Sequence, residues 1–204
     1  MSNHNHSNAH DHHHESNVQD FMTKIAFLDS TMRQRTLPPE AILEMLPIQE
    51  NSDILDAGAG SGYLTIPAAR QTKGKVFALD MDDRMLHVID TKVKRENIKN
   101  IQPVQNNIES IPLPDGAVDI VLASLILHEV SSLSAVLKEI NRVLKPGGQF
   151  LCLEYEKEES TVKGPPMHIR ILSADMEQAL VAAGFHIEQK VFPRESIYIM
   201  IAKK

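Results

Sequence analysis

Residues 54–62 read ILDAGAGSG, the most informative segment of the chain. Its first half is a short apolar run typical of a buried strand, and its second half is a glycine turn. Glycines let the backbone turn sharply and approach a ligand, because no Cβ stands in the way. Residues 63–71 are predicted to form a helix, whose first N–H groups would face anything bound at the turn. By itself, however, the pattern also suits a tight connection that binds nothing.

Strands and helices alternate along the chain beyond this turn. The predicted strands lie at residues 54–57, 76–79, 101–104, 118–123 and 149–153, with helices at 63–71, 82–95 and 132–144. Strands that are nearly all apolar and alternate with helices are typical of a parallel sheet covered on both faces. The helix at 132–144 is expected to end at Pro146-Gly147-Gly148, because proline and glycine terminate helices.

The last two apolar runs, 185–192 and 196–202, are separated by only three residues. That connection is too short for a parallel crossover, so the two runs pair antiparallel or do not pair at all. Ser173 is expected to cap the helix before them, and Gly184 to close it. The sequence therefore predicts an α/β fold with a mostly parallel seven-stranded sheet, helices on both faces and a C-terminal antiparallel hairpin.

The N-terminal part of the chain is predicted to lie outside this sheet. Residues 1–16 hold six of the ten histidines among small polar residues, and such a segment is expected to be disordered. These histidines are His4, His6, His10, His12, His13 and His14. They suit an inert tail or appended tag, or a natural metal-binding tail, and we favour the first and expect no functional metal site. Residues 17–47 are predicted to form a helical cap and residues 48–204 the main domain.

Deleting residues 1–16 is expected to leave the melting temperature and ligand affinity unchanged, because that segment has almost nothing to bury. Thermal denaturation and calorimetry of the full-length and shortened chains would measure both. A drop in either quantity would give the histidines a structural or ligand-binding role.

Composition narrows the class of partner. The chain has 204 residues, with 21 basic and 27 acidic side chains and a formal charge of −6. Because phosphate contacts favour a basic surface, this balance argues against nucleic acid and for a small-molecule substrate. Cys152 is the only cysteine, so no disulfide framework is expected, and its apolar neighbours predict a buried thiol. No apolar stretch reaches the roughly 18 residues of a membrane span, and we expect a cytoplasmic protein.

Asp80 ends the second predicted strand, 22 residues after Gly58. An acidic side chain at this place can accept hydrogen bonds from both ribose hydroxyls of a nucleoside ligand. Its alternative role is to cap the helix that follows. Dinucleotide sites also place a small residue three positions after the second glycine, where this chain has Tyr63. A nicotinamide-dependent oxidoreductase is therefore the less favoured of the nucleotide-binding alternatives.

Five segments together resemble the class I methyltransferases that use S-adenosylmethionine (SAM). They are residues 54–62, Asp80-Met81, residues 107–115, residues 118–125 and residues 144–148, in the order and spacing of that family's motifs. The chain is most similar to the branch typified by ubiquinone and menaquinone biosynthesis methyltransferases. This resemblance covers roughly residues 50–155 and implies a Rossmann-like fold, SAM as cofactor and S-adenosylhomocysteine as product.

The resemblance also implies roles for individual residues. Those it places at the cofactor are Asp56, Gly58, Ala59, Gly60, Gly62, Asp80, Met81, Asn107, Ile108, Ser124 and Leu125. The glycines would lie against the methionine part, with Asp56 beneath the turn, and Asp80 would hold the ribose. Met81 would pack on the adenine ring, Ile108 N–H would serve a ring nitrogen, and Ser124 and Leu125 would lie near the sulfonium. Asn107 stands where the family usually has aspartate, and its amide oxygen can accept the same bond without a charge.

Catalysis and substrate are less constrained. The implied reaction is methyl transfer to a small or medium-sized organic acceptor, and positioning alone accelerates it. Where the acceptor must lose a proton, His128 beside Glu129 is the candidate base. Alternatively, His128 only helps to start the next helix while Glu129 is solvated. A SAM-binding regulator without catalysis is the alternative at the level of the whole protein.

Overall fold

The computed structural model describes residues 19–159 and 164–204, so the predicted disorder of residues 1–16 lies outside the described residues. The chain divides into two compact units, Met1–Pro38 and Pro39–Lys204. In the first unit, residues 19–28 are helical (α1), and a short helix α2 spans Thr31–Thr36. The Ser30 hydroxyl caps α2 by accepting from Arg33 N–H. Residues 39–47, predicted to belong to the helical cap at 17–47, fall in the larger unit.

The larger unit alternates helices and strands as predicted. Its elements are α3 (Pro39–Leu43), β1 (Ile54–Ala57), α4 (Thr65–Gln71), β2 (Val76–Asp80), α5 (Asp83–Glu96), β3 (Ile101–Gln105), β4 (Val118–Ser124), a 3₁₀ turn (Leu127–Glu129), α6 (Leu133–Val143), β5 (Leu144–Tyr155), α7 (Ser173–Ala182), β6 (His186–Arg194) and β7 (Ile197–Lys203). None of the helices in the described ranges is both long and apolar enough to cross a membrane.

All seven strands belong to one sheet, in the order β3-β2-β1-β4-β5-β7-β6. The first five are parallel, and β7 pairs antiparallel with both β5 and β6. The predicted mostly parallel sheet with a C-terminal antiparallel hairpin is therefore confirmed. After β3 the chain returns to the other side of β1, so the strand order reverses between β1 and β4. Open α/β sheets bind ligands at such a switch point.

Helices cover both faces of the sheet, as two adjacent residues of β2 show. Ala78 packs with Leu86 and Ile89 of α5, whereas Leu79 belongs to the large core that includes α6 and α7. Successive residues of a strand point to opposite faces, so these helices lie on opposite sides. β1 is buried along its whole length, and the edge strand β3 is mostly exposed.

Two predicted helix ends are wrong. Pro146-Gly147-Gly148 does not terminate α6, which ends at Val143 and leads directly into β5. Val118 pairs with Leu144 but Ile120 pairs with Gln149, so residues 145–148 bulge out of the strand. The Lys204 ammonium instead binds the carbonyl oxygens of Asn141 and Leu144 at 2.6 and 2.7 Å, where α6 ends.

Ser173 is likewise not the cap of the last helix but the first residue of α7. The buried Glu156 takes the capping role, because its Oε1 accepts from Ser173 N–H at 2.9 Å. A carboxylate brought in from the end of β5 thus replaces the local hydroxyl.

Candidate functional site

The glycine turn, residues 58–62, lies at the carboxyl end of β1 and is attached to β2. Gly58 N–H and Ala59 N–H both donate to Leu79 O at 2.9 Å. Gly58 has φ +83°, and a Cβ at this position would lie 2.6 Å from Cγ1 of Ile126. Only glycine therefore fits here, for reasons of both backbone conformation and space.

Asp80 supports this turn from the end of β2. Its Oδ2 accepts from Gly60 N–H at 2.8 Å, and its Oδ1 accepts from Asp82 N–H at 3.0 Å. The side chain that caps α5 is Asp82, which accepts from Arg84 N–H at 3.0 Å. The alternative role of Asp80 as a helix cap is therefore wrong.

Asp56 lies beneath the turn and is buried. Its Oδ2 accepts from the Thr65 hydroxyl at 2.6 Å, which ties the end of β1 to the first residue of α4. This contact fixes the start of the helix that follows the glycines.

A cavity of about 210 Å³ opens beside the turn at the carboxyl edge of the sheet. Its wall consists of Gly58, Leu79, Asp80, Met81, Asn106, Asn107, Ile108, Glu109, Ile126, Glu129, Val130 and Ser131. Five of the predicted cofactor residues are brought together here: Gly58, Asp80, Met81, Asn107 and Ile108. The other six are not among the described residues that line it: Asp56, Ala59, Gly60, Gly62, Ser124 and Leu125.

The segment after β3 forms one wall through side-chain contacts with its own backbone. Asn107 Oδ1 accepts from Glu109 N–H at 2.9 Å, so the oxygen predicted to face an adenine amino group already accepts a local bond. Its second lone pair leaves room for a ligand donor. Glu109 Oε1 accepts from Ser131 N–H and Ser132 N–H at 2.7 and 3.0 Å, which holds this wall against the loop before α6.

The end of β4 supplies the opposite wall through a strained residue. Leu125 has φ +58° and donates its N–H to Leu153 O at 2.8 Å. A left-handed leucine is unusual and persists only where its surroundings require it. The consequence is that Ile126, one residue beyond the predicted Ser124 and Leu125, lines the cavity and faces Gly58.

His128 lies in the 3₁₀ turn after β4 and is almost enclosed, with 6% of its side chain exposed. Its Nδ1–H donates to Oε2 of the buried Glu154 at 2.7 Å. Burial lowers the pKa of His128, but the hydrogen bond and charge of Glu154 and the charge of Glu129 outweigh it and raise that pKa above its ordinary value. Ser132 rather than His128 caps α6, and His128 lies in the 3₁₀ turn that precedes it.

Glu129, rather than His128, reaches the cavity wall, and half of its side chain is exposed. The lining residues that sequence reasoning did not select, such as Glu109 and Ile126, follow a predicted residue closely in the chain. Their apolar or acidic character carries no signal by itself, because the loops that present them are irregular. Cys152 is fully buried as expected, and burial together with the charge of Glu154 raises the pKa of its thiol.

Comparisons with known proteins agree with this fold and site. Residues 55–152 match the family described as methyltransferase domain. The chain is 37% identical over 123 residues to the ubiquinone/menaquinone biosynthesis C-methyltransferase UbiE of Shewanella oneidensis, which covers 59% of this chain and 49% of that protein. The UbiE of Shewanella baltica (strain OS155) is 36% identical over 123 residues, again 59% of this chain and 49% of that protein. The chain thus spans about half the length of these relatives.

Solved structures give the same result for the fold. A SAM-dependent methyltransferase from Aquifex aeolicus superposes with a TM-score of 0.81 at 29% identity, covering 89% of this chain and 97% of that one. The [4+2]-cyclase SpnF shares the fold with a TM-score of 0.74 at 20% identity, covering 83% and 80%. Because a protein described as a cyclase has this architecture, the fold alone does not fix the reaction.

The sheet order, the glycine turn with Asp80 and the family match point to one class of protein. Residues 55–152 match a methyltransferase domain, and the chain has the fold of a solved SAM-dependent methyltransferase. Within that class the chain is similar to the UbiE methyltransferases, as the sequence predicted.

Proposed function

We propose that this protein transfers the methyl group of SAM to a small or medium-sized organic acceptor and releases S-adenosylhomocysteine. The observation that carries the proposal is the charge of the cavity. Its described lining contains three carboxylates, those of Asp80, Glu109 and Glu129, and neither lysine nor arginine. SAM has a sulfonium and an ammonium group and suits such a wall, whereas the pyrophosphate of a dinucleotide favours positive groups.

The residues present also fit the shape of a nucleoside. Asp80 accepts from the ribose hydroxyls in our proposal, while Met81 and Ile108 hold the adenine ring between apolar surfaces. Met81 supports this role because 72% of it is exposed, although it is a large apolar side chain. Asn107 and the Ile108 N–H would serve the edge of the ring. Asp56, Ala59, Gly60 and Gly62 act through the shape of the turn, and Ser124 and Leu125 through the placement of Ile126.

SAM supplies, when bound, a methyl group already activated by its sulfonium sulfur. The chain therefore has to hold an acceptor in line with that group, exclude water and receive any proton that the acceptor loses. We propose His128 for the last task. His128 would receive this proton indirectly, because Glu129 and not His128 lines the cavity. The relatives named C-methyltransferases make a carbon atom the first acceptor to test.

Calorimetry should show micromolar binding of SAM and S-adenosylhomocysteine and negligible binding of NADH. The same preparations, incubated with SAM and a panel of phenols, carbon acids, amines and thiols, should release S-adenosylhomocysteine with at least one of them. Binding without release from any acceptor would favour a SAM-dependent regulator. A preference for NADH would overturn the proposal. The net charge of −6 argues against nucleic acid as acceptor, and a cytoplasmic location stays a prediction from the sequence.

A further inference from the structure

Three ionisable side chains form a row from the core of the protein to the cavity. Glu154, at the end of β5, is completely buried, and its Oε2 lies 2.7 Å from Nδ1 of His128. Nε2 of His128 lies 3.9 Å from Oε1 of Glu129, which is half exposed on the cavity wall. We call these three residues the carboxylate–histidine row.

Glu154 fixes the orientation of the imidazole. Its Oε1 accepts from Leu127 N–H at 2.7 Å while Oε2 accepts from His128 Nδ1–H, so both oxygens hold the 3₁₀ turn. When His128 is neutral, this contact keeps the proton on Nδ1 and leaves the lone pair of Nε2 towards Glu129. A base oriented by a third group in this manner is the arrangement found in catalytic triads.

Anchoring the turn would not by itself require a charge. An amide oxygen at position 154 could accept from Leu127 N–H equally well, whereas a fully buried carboxylate needs a positive partner. His128 is that partner. The other groups that face it are Glu129 on its own turn and Arg170 from the segment before α7, whose charge acts in the opposite direction to those of the two carboxylates.

We propose that Glu129, His128 and Glu154 form a proton relay for the methyl acceptor, with Glu129 as the group that meets the acceptor and Glu154 as a positioning residue. This inference rests on the proposed methyl transfer. It assigns the substrate class, which is an acceptor whose nucleophilic atom carries a proton, such as a phenol, an acidic carbon or a thiol. Transfer breaks the bond between sulfur and the methyl carbon, with the electron pair going to sulfur. The acceptor atom bonds to that carbon, and its proton passes to Glu129. A rotation of the half-exposed Glu129 side chain closes the 3.9 Å gap to Nε2 of His128, which then receives the proton.

The relay makes activity and stability respond to pH with opposite signs. His128 can take a proton only when it is neutral, so activity should rise with pH through a value above the ordinary pKa of histidine. The ion pair with Glu154 stabilises the fold fully below the pKa that His128 has in the unfolded chain. That contribution is lost as the pH rises through the raised pKa of the folded state. Activity should thus increase where stability decreases.

The test uses the full chain with Glu129→Gln, Glu154→Gln and His87→Asn, the last on an exposed histidine of α5 as the matched control. Histidine NMR titration, SAM calorimetry and the pH profile of S-adenosylhomocysteine release with a phenolic panel are measured for each. Glu129→Gln should lower the rate by roughly 10²–10⁴-fold at saturating SAM, where a change in SAM affinity does not affect the rate. Glu154→Gln should lower the pKa of His128 and shift the rising limb of the rate to lower pH, whereas His87→Asn should change neither.

The outcomes separate the relay from the proposed function. If the wild type releases no S-adenosylhomocysteine with any acceptor, the methyl-transfer proposal and the relay that depends on it are both overturned. If the wild type is active and Glu129→Gln retains its rate, only the relay is overturned. The same holds if Glu154→Gln is less stable but its rate rises over the same pH range as that of the wild type. Should Glu154→Gln fail to fold, Glu129→Gln and the titration of wild-type His128 still decide. An ordinary or lowered pKa for His128 would also contradict the relay.

Discussion

A Gly58→Ala variant is expected to bind SAM at least about tenfold more weakly than the wild type, a change of roughly 1.4 kcal/mol or more. Two effects add at this position. The left-handed backbone conformation, φ +83°, raises the energy of a residue that has a Cβ by roughly 1–2 kcal/mol. The new methyl group would also lie 2.6 Å from Cγ1 of Ile126, and overpacking of this kind costs roughly 1–3 kcal/mol.

Gly147→Ala is the matched control for this prediction. Gly147 has nearly the same backbone angle, φ +79°, but the nearest atom to its Cβ would be Cε of Lys203 at 3.8 Å. It lies in the bulge of β5 and not in the cavity wall. Backbone strain should lower the stability of both variants, whereas only Gly58→Ala should lose SAM affinity. Equal affinities, measured by calorimetry on folded protein, would show that the approach of Gly58 to Ile126 does not shape the cofactor site.

The sequence predicted the part of the site that depends on local order along the chain. Gly58 and Asp80 directly follow predicted strands, Asn107 comes three positions after the end of another, and the ends of parallel strands meet at one edge of the sheet. Their meeting at the cavity therefore required only the correct strands and a plausible strand order. The antiparallel hairpin followed in the same manner from a three-residue connection that no parallel crossover can span.

The features that the sequence did not predict depend on partners far apart in the chain. Glu154 follows an apolar run, and charged residues are rarely buried completely. Its burial is explained by His128 and Leu127 N–H, which come 26 and 27 residues earlier. The bulge of β5 has the same origin, because Leu144 pairs with Val118 while the proline and glycines at 146–148 locally favour a break. Local propensity yields to such tertiary pairing.

Replacing Asp80 with alanine is expected to weaken SAM binding by about thirty- to several-hundred-fold, or roughly 2–4 kcal/mol, because two ribose hydroxyls would lose a charged acceptor. The structure adds a second consequence. Oδ2 of Asp80 also accepts from Gly60 N–H at 2.8 Å, so the variant should loosen the glycine turn even without ligand. Asp80→Asn keeps one oxygen acceptor without the charge and should fall between the wild type and Asp80→Ala.

Asp82→Ala separates binding from helix capping, since Asp82 and not Asp80 caps α5. Loss of that cap should lower the free energy of unfolding by roughly 0.5–2 kcal/mol while SAM affinity is retained. Calorimetry gives the affinities, and thermal denaturation of the free proteins gives the stabilities. If Asp80→Ala melts earlier yet binds SAM as tightly as the wild type, Asp80 serves only the turn, and the ribose must be held by another wall of the cavity. If instead Asp80→Ala loses much of its SAM affinity while Asp82→Ala binds SAM normally, the acceptor of the ribose hydroxyls lies at the end of β2.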